Sequence, residues 1–246
     1  MNQFALQLLQ ARLGLLPLAA AGCAATKSDI PIVPTTPAAS VPARGETDAV
    51  ATANADAADD PAIWRNPADP AASLMVGTDK KAGLHVYDRA GKDRFFIDAG
   101  RVNNVDLKDL GPAGIIVAAS DRNDRANAKL ALFRLDPATA RLTPLGIVPV
   151  GAGEAYGVCL YRSGDKLHAF NVIKDGPIRE VELDLSGPAP PGRIVRTMKL
   201  ATQSEGCVAD ERTHRLYVAE EDVGLWRFDA RADGPTEAVA MAKADG

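Results

Sequence analysis

A block of about 45 residues recurs four times along this chain, and this recurrence limits the fold more than any other feature. Each block holds four short apolar runs separated by Gly, Pro and Asp, a pattern typical of strands and turns. The third run of each block ends at an aspartate, with spacings of 48, 48 and 45 residues: Asp88, Asp136, Asp184 and Asp229. Four strands in a unit of this length indicate a β-propeller blade. We therefore predict an all-β propeller with four blades in this chain.

Two other architectures remain open at this point. A generic β-sandwich also has short strands, but it does not explain the constant offsets between blocks. A propeller that closes with only four blades is the second alternative. The blocks start at Asp60, Asn104, Tyr156 and Glu205, which predicts a fifth start at about residue 250. The chain ends at Gly246, before that position.

The N-terminal residues have the pattern of an export signal. Arg12 precedes a short apolar run, residues 13–21, that is too short to span a membrane. The run ends in a box resembling a lipoprotein cleavage site at Cys23, so lipid attachment there and simple cleavage nearby are both open. We expect an exported protein that is periplasmic, secreted or an outer-membrane lipoprotein. The predicted division is a signal peptide over 1–23, a Pro/Ala/Thr-rich linker over 24–45 and a propeller domain over 46–246.

Composition and motifs exclude several functions. The net charge of −4 argues against nucleic-acid binding, because a phosphate backbone favours a basic surface. The histidines at positions 85, 168 and 214 have no metal-ligand spacing, and we expect them to be structural or solvated. The chain has neither a nucleophile elbow nor a phosphate-binding loop. We expect Cys159 and Cys207 to be buried free thiols, with a single disulfide as the alternative.

Charged and polar residues flank equivalent strands in successive blocks. The start of a first strand and the end of a second strand lie at the same end of an antiparallel pair, so these residues should share one rim. Carboxylates and amides are oxygen donors that suit calcium, whereas Lys and Arg suit phosphate. The pattern predicts a site for a metal and a phosphate-rich ligand, unless the charges merely solvate loop ends. The rim set is Asp59, Asp60, Asn103, Asn104, Tyr156, Glu205, Lys80, Lys81, Asp121, Arg122, Lys174, Asp175, Glu220, Glu221 and Asp222.

At these positions the sequence resembles the β-propeller phytases. The resemblance extends from about Glu46 to the end of the chain, with its motifs in the family's order. It implies a six-bladed propeller that hydrolyses phytate, myo-inositol hexakisphosphate, to lower inositol phosphates in a 3-phytase reaction. It also implies that this chain is C-terminally truncated and that the full-length protein is a monomer. The matching segments are residues 56–64, 80–84, 102–106, 119–122, 156–158, 205–210 and 217–222.

The resemblance further implies roles for individual residues. Several calcium ions would neutralise the phosphates, and a calcium-bound water would attack phosphorus. The implied catalytic residues are Lys80, Arg122, Glu205 and Glu221. The implied phosphate-binding residues are Lys80, Lys81, Arg122, Tyr156 and Lys174. The implied calcium ligands, or supports for them, are Glu46, Asp59, Asp60, Asn103, Glu205 and Glu221.

Two alternatives to a phytase stay open. One is a calcium-stabilised propeller that binds a ligand or partner without turnover, a hypothesis that the missing blades favour. The other is a propeller lactonase, which would use calcium but would not need the basic residues Lys80, Lys81 and Arg122.

Overall fold

The computed structural model describes residues 40–187 and 189–244, and the predicted signal peptide and most of the linker lie outside them. The described residues form sixteen strands, arranged as four antiparallel four-stranded sheets in chain order. Each sheet is one blade, so the predicted propeller arrangement is confirmed. Apart from the strands, the described residues form two short 3-10 turns, Pro70–Ala72 and Gly111–Ala113. No helix among the described residues is long and apolar enough to cross a membrane.

The strand boundaries follow the blocks of the sequence. The first blade contains β1 (Ala58–Trp64), β2 (Leu74–Asp79), β3 (Gly83–Asp88) and β4 (Asp93–Asp98). The second contains β5 (Val102–Asp109), β6 (Ile115–Asp121), β7 (Asn127–Asp136) and β8 (Arg141–Ala152). The third contains β9 (Ala155–Ser163), β10 (Lys166–Ile173), β11 (Pro177–Leu183) and β12 (Gly192–Lys199). The fourth contains β13 (Ser204–Asp210), β14 (Arg215–Glu220), β15 (Gly224–Asp229) and β16 (Val239–Lys243).

The hydrophobic core lies between adjacent blades rather than inside any one of them. In β6, Val117 packs against the first blade and Ile116 against the third, because successive side chains of a strand point to opposite faces. Both faces of this strand are therefore covered, and all of its residues are buried. Between the third and fourth blades, Phe170 packs in one cluster with Leu216. The continuous apolar run of β6 in the sequence reflects this two-sided burial.

The first strand of each blade (β1, β5, β9 or β13) is its inner strand, which lies beside the inner strands of neighbouring blades. Each inner strand contains a register break at the same height, close to its start. The breaks lie in β1 after Ala58, in β5 after Val102 and in β13 after Ser204, and Tyr156 is the extra residue in β9. A β-bulge adds a residue and turns its side chain away from the regular alternation. Four bulges at one height therefore direct Asp59, Asp60, Asn103, Asn104, Tyr156 and Glu205 toward one end of the propeller.

Polar and covalent links fasten neighbouring blades together. Asp60 Oδ2 accepts a hydrogen bond from the Val105 amide at 3.0 Å, joining the first and second blades. Asp106 Oδ2 accepts from the Leu160 amide at 2.7 Å, joining the second and third. A disulfide between Cys159 and Cys207 joins the inner strands of the third and fourth blades. The expectation that these cysteines are free thiols is therefore wrong, because adjacent inner strands bring their Cα atoms to 5.9 Å.

Candidate phosphate-binding rim

The rim is the end of the propeller where inner strands begin and second strands end. Lys80 follows β2 there, with its Nζ atom 2.8 Å from Asp56 and 3.3 Å from Asp59. Burial alone would lower the pKa of Lys80, but the hydrogen bond to Asp56 and the charge of Asp59 together raise it. Lys80 is therefore a firmly charged ammonium group at the edge of the rim, held by two carboxylates that other anions could replace.

Tyr156 forms an aromatic platform beneath two cationic side chains. The Nζ atom of Lys174 lies 4.7 Å from the centre of its ring, and the Arg122 guanidinium carbon lies 5.9 Å from it. Cations at these distances are attracted to the ring face. Burial and the nearby charges of Glu205 and Glu221 raise the pKa of Tyr156. The phenol therefore stays neutral, and both Lys174 and Arg122 lie near its ring.

Arg122 is a buried cation without a tight partner. Its residue is 8% exposed, and its closest carboxylate oxygen is Glu154 Oε1, 3.4 Å from an Nη atom. Its Nε atom is buried and makes no hydrogen bond among the described residues. A buried donor without a partner is costly, since it has lost its hydration. This guanidinium can therefore bind an additional anion, such as a phosphate.

Glu205 and Asn103 join the inner strands of the second and fourth blades across the rim. The Asn103 amide nitrogen donates to Glu205 Oε1 and to the Tyr156 carbonyl oxygen, the latter at 3.3 Å. Burial raises the pKa of Glu205, and the charges of Asp59 and Glu221 add to the rise despite the Asn103 hydrogen bond. Negative charge is thus concentrated beside the basic residues.

Two consecutive glutamates at the end of β14 have different partners. Glu220 Oε1 accepts from the amides of Ala201 and Thr202, and its Oε2 accepts from Trp226 Nε1, so its carboxylate is fully used in the fold. Glu221 Oε2 accepts from Gln203 Nε2 at 2.7 Å, whereas its Oε1 is buried and has no partner among the described residues. Glu221 therefore offers a free oxygen donor at the rim, and Glu220 does not.

Comparison with known proteins shows the family to which the chain belongs. The family model described as Phytase matches residues 6–246. The chain belongs to the Phytase family. It is also 37% identical over 218 residues to a 3-phytase of Bacillus subtilis (strain 168). That alignment covers 84% of this chain and 56% of the relative, so the chain spans little more than half of the relative's length.

The structure gives different roles to the other residues at this end of the propeller. Asp60 Oδ2 accepts the hydrogen bond from Val105, and burial raises the pKa of this carboxyl to about 6, so Asp60 joins two blades at the rim. Lys81 lies exposed in the β2–β3 turn. Asp79 and Asp121 accept hydrogen bonds from the amides two residues later and thereby stabilise turns. These aspartates end second strands for a structural reason.

Glu46 is not brought to the rim. Its carbonyl oxygen lies against Gly91 in the β3–β4 turn, at the opposite end of the first blade from Lys80. From there the chain crosses the blade to reach the rim, where the Thr52 amide donates to Asp79 Oδ2 at 3.2 Å. The six residues of β3 separate the two ends by about 20 Å. The expectation that Glu46 shares a metal site with Asp59 and Glu205 does not agree with this arrangement.

The remaining rim residues have side chains whose chemistry suits calcium. Carboxylate and amide oxygens are the donors that calcium prefers, and the orphaned Oε1 of Glu221 is such a donor. No three His, Cys, Asp or Glu side chains of the described residues converge closely enough to hold an ion. The donor type thus fits calcium, while the number of protein ligands is small, so phosphate oxygens and water would have to supply the rest.

Three contributors to the rim were not predicted from the sequence. Glu154 contacts Arg122, Gln203 holds Glu221, and Asp56 binds Lys80. Each lies within four residues of an inner strand's start, in the segment that enters a blade. The repeat could have directed attention to these entry segments, but only the folded structure shows which of their side chains reach the rim.

Proposed function

We propose that this chain carries the phosphate-binding part of a phytase and that the rim binds phytate for hydrolysis of its phosphomonoester bonds. The observation that carries the proposal is the Tyr156 platform, where Lys174 and Arg122 lie over one ring. A ligand with several phosphates can contact Lys80, Arg122 and Lys174 at once. Membership of the Phytase family and 37% sequence identity to a 3-phytase support this assignment.

Each basic residue would have a distinct task. Arg122 can donate two parallel hydrogen bonds to one phosphate, because its guanidinium is planar and forked. Lys174 and Lys80 are point charges that offset the negative charge of neighbouring phosphates. These groups would stabilise charge on the phosphoryl oxygens as the ester bond breaks. A propeller lactonase would not need such a set, and the basic residues therefore favour the phosphatase.

The reaction is proposed to depend on calcium. Glu221 and Glu205, with Asp59 and Asn103 nearby, are the residues that would hold calcium. Calcium supplies positive charge that offsets phosphate oxygens and makes bound water more acidic. Burial raises the pKa of Glu205, and the charges of Asp59 and Glu221 add to the rise, so a cation bound there would favour the ionised carboxylate.

Phosphate release from phytate tests the proposal. We expect the purified chain, or a version extended to the relative's full length, to release phosphate with calcium and not with chelator. Arg122→Ala should lose at least about a hundredfold of this activity, as expected for removal of one electrostatic donor. Arg193→Ala is the control, since Arg193 lies exposed on the outer strand of the third blade. An Arg122→Ala protein with wild-type activity would overturn the assignment.

A second candidate function is binding of phytate or another ligand without turnover. The observation that favours it is the lack of a three-carboxylate cluster among the described residues. Calorimetric binding of phytate without phosphate release, in this chain and in the extended version alike, would support this alternative.

We also propose that the protein is exported, either with a lipid on Cys23 or after simple cleavage nearby. The support is the N-terminal sequence, with Arg12 before a short apolar run. Intact mass measurement of the mature protein tests this. A mature chain that begins at Cys23 with added lipid mass would support the proposal, and one that keeps Met1 would refute it.

A further inference from the structure

Glu154 lies between two arginines at the entrance to the third blade. Its Oε1 atom is 3.4 Å from Arg122 Nη1 and 3.6 Å from Arg125 Nε. The Glu154 side chain is 14% exposed, that of Arg122 is 10% exposed and that of Arg125 is 61% exposed. Neither distance is that of a tight charge-assisted hydrogen bond, which is normally about 2.7–2.9 Å. The carboxylate therefore neutralises both guanidinium groups loosely.

The backbone around Glu154 is fixed on both sides. The Gly153 amide donates to the Ala126 carbonyl at 2.8 Å, and the Glu154 carbonyl accepts from the Lys174 amide at 3.1 Å. Gly153 has a φ of 110°, and a Cβ atom there would collide with the Ile173 side chain. These constraints lead the chain from β8 into β9 along one path. The backbone of Glu154 is consequently fixed by the fold at a position next to Arg122.

We infer that Glu154 neutralises Arg122 and Arg125 while the rim is empty and competes with substrate phosphate for them. This inference rests on the proposed function, because it assigns the competitor of the phosphate that Arg122 is proposed to bind. A phosphate approaching Arg122 must displace Glu154 Oε1 or be repelled by it. Once released, the exposed Arg125 becomes a further cation for a ligand that carries several phosphates.

The geometry around Arg122 allows phosphate to replace Glu154 without moving the guanidinium. The guanidinium stays in place when Glu154 moves, because the Tyr156 ring lies beneath it and the Arg122 amide donates to the Arg101 carbonyl at 3.0 Å. Arg122 Nε, buried and without a partner, offers a second donor for a phosphate oxygen. Phosphate can bind two donors at once, whereas Glu154 Oε1 contacts the guanidinium at one long distance. Glu154 thus keeps Arg122 ready for a ligand without a strong competing bond.

The test is titration calorimetry of inorganic phosphate and of phytate, in chelator and at fixed ionic strength, on wild type and Glu154→Gln. Glutamine keeps the size of the side chain and removes its charge. We expect Glu154→Gln to bind both ligands roughly threefold to fivefold more tightly, the range of one partly screened ion pair. Glu237→Gln is the matched control, because Glu237 is exposed at the opposite end of the fourth blade. It should bind as wild type does.

Further variants distinguish failure of the inference about Glu154 from failure of the proposed function. Glu154→Asp keeps the charge, so its affinity for both ligands should stay close to that of wild type. If Glu154 acted only through side-chain packing, the shorter Asp would change the affinity as well. Glu154→Gln binding that is unchanged or weaker, in a protein with wild-type melting temperature, would overturn the inference. Lack of phytate binding by wild type, both in chelator and with added calcium, would instead overturn the proposed function. A gain in affinity that persists in Arg122→Ala/Glu154→Gln would show that Arg122 is not the group released.

Discussion

The carbonyl oxygen of Glu205 occupies the position that a Cβ atom on residue 157 would need, and Gly157 is the residue found there. The two residues belong to the inner strands of the third and fourth blades. Their close approach allows the Tyr156 carbonyl to face Asn103 and brings Glu205 within reach of the same amide. Packing between blades thus determines how near the carboxylates and the Tyr156 platform lie.

Gly157→Ala should destabilise the protein by about 1–3 kcal/mol, since the added methyl group meets backbone that cannot move independently. It should also weaken phytate binding, because Glu205 would be pushed from the rim. Chemical denaturation followed by fluorescence measures the first effect. Gly206→Ala, next to Glu205 but with no atom closer than 4.0 Å to the new Cβ, should change stability little. Equal stability of wild type and Gly157→Ala would contradict this packing.

The link between Asp106 and Leu160 should make stability depend on pH. Burial raises the pKa of Asp106, although the amides of Leu160 and Leu107 partly oppose the rise. When the pKa of a carboxyl is higher in the folded than in the unfolded protein, its protonation stabilises the folded state at pH values below the unfolded pKa. This stabilisation is lost as the pH rises through the folded pKa. We expect the difference in unfolding free energy, wild type minus Asp106→Asn, to fall as pH increases above about 4. A difference that is flat or rises with pH would be inconsistent with burial as the cause.

The outer faces of the first and fourth blades should promote association. Ile63 is 65% exposed and Val208 is 59% exposed, while their neighbours in the same strands pack against the second and third blades. Exposed apolar residues on a sheet face favour contact with other copies. Size-exclusion chromatography should show oligomers or aggregates that Ile63→Lys/Val208→Lys reduces. Val41→Lys, an exposed apolar site outside the blades, is the control. A monodisperse wild-type monomer would refute the prediction.

The sequence predicted the blades well because four strands recur at constant offsets. It also identified the rim, since the starts of β1, β5, β9 and β13 are equivalent in the repeat. The bulges that direct Tyr156 and Glu205 were not predicted, because a bulge depends on strand pairing that one strand's sequence does not show.

Errors arose where a side chain has more than one use. Asp121 and Glu220 belong to the rim set predicted from the sequence, yet turn and loop amides occupy their oxygens. The pairing of Cys159 with Cys207 depends on how near two inner strands lie, which spacing alone does not give. Glu46 was misplaced because its segment crosses a whole blade before reaching the rim.

Phytate binding by wild type and by Lys80→Ala and Lys174→Ala, measured by calorimetry, tests the central claim most directly. Each lysine should contact a separate phosphate, so each variant should bind about tenfold more weakly or worse. Lys166→Ala, at the far end of the third blade and paired with Glu182, should bind as wild type does. If all four proteins bind phytate equally, or none binds it, the rim is not a phosphate site and the account is wrong.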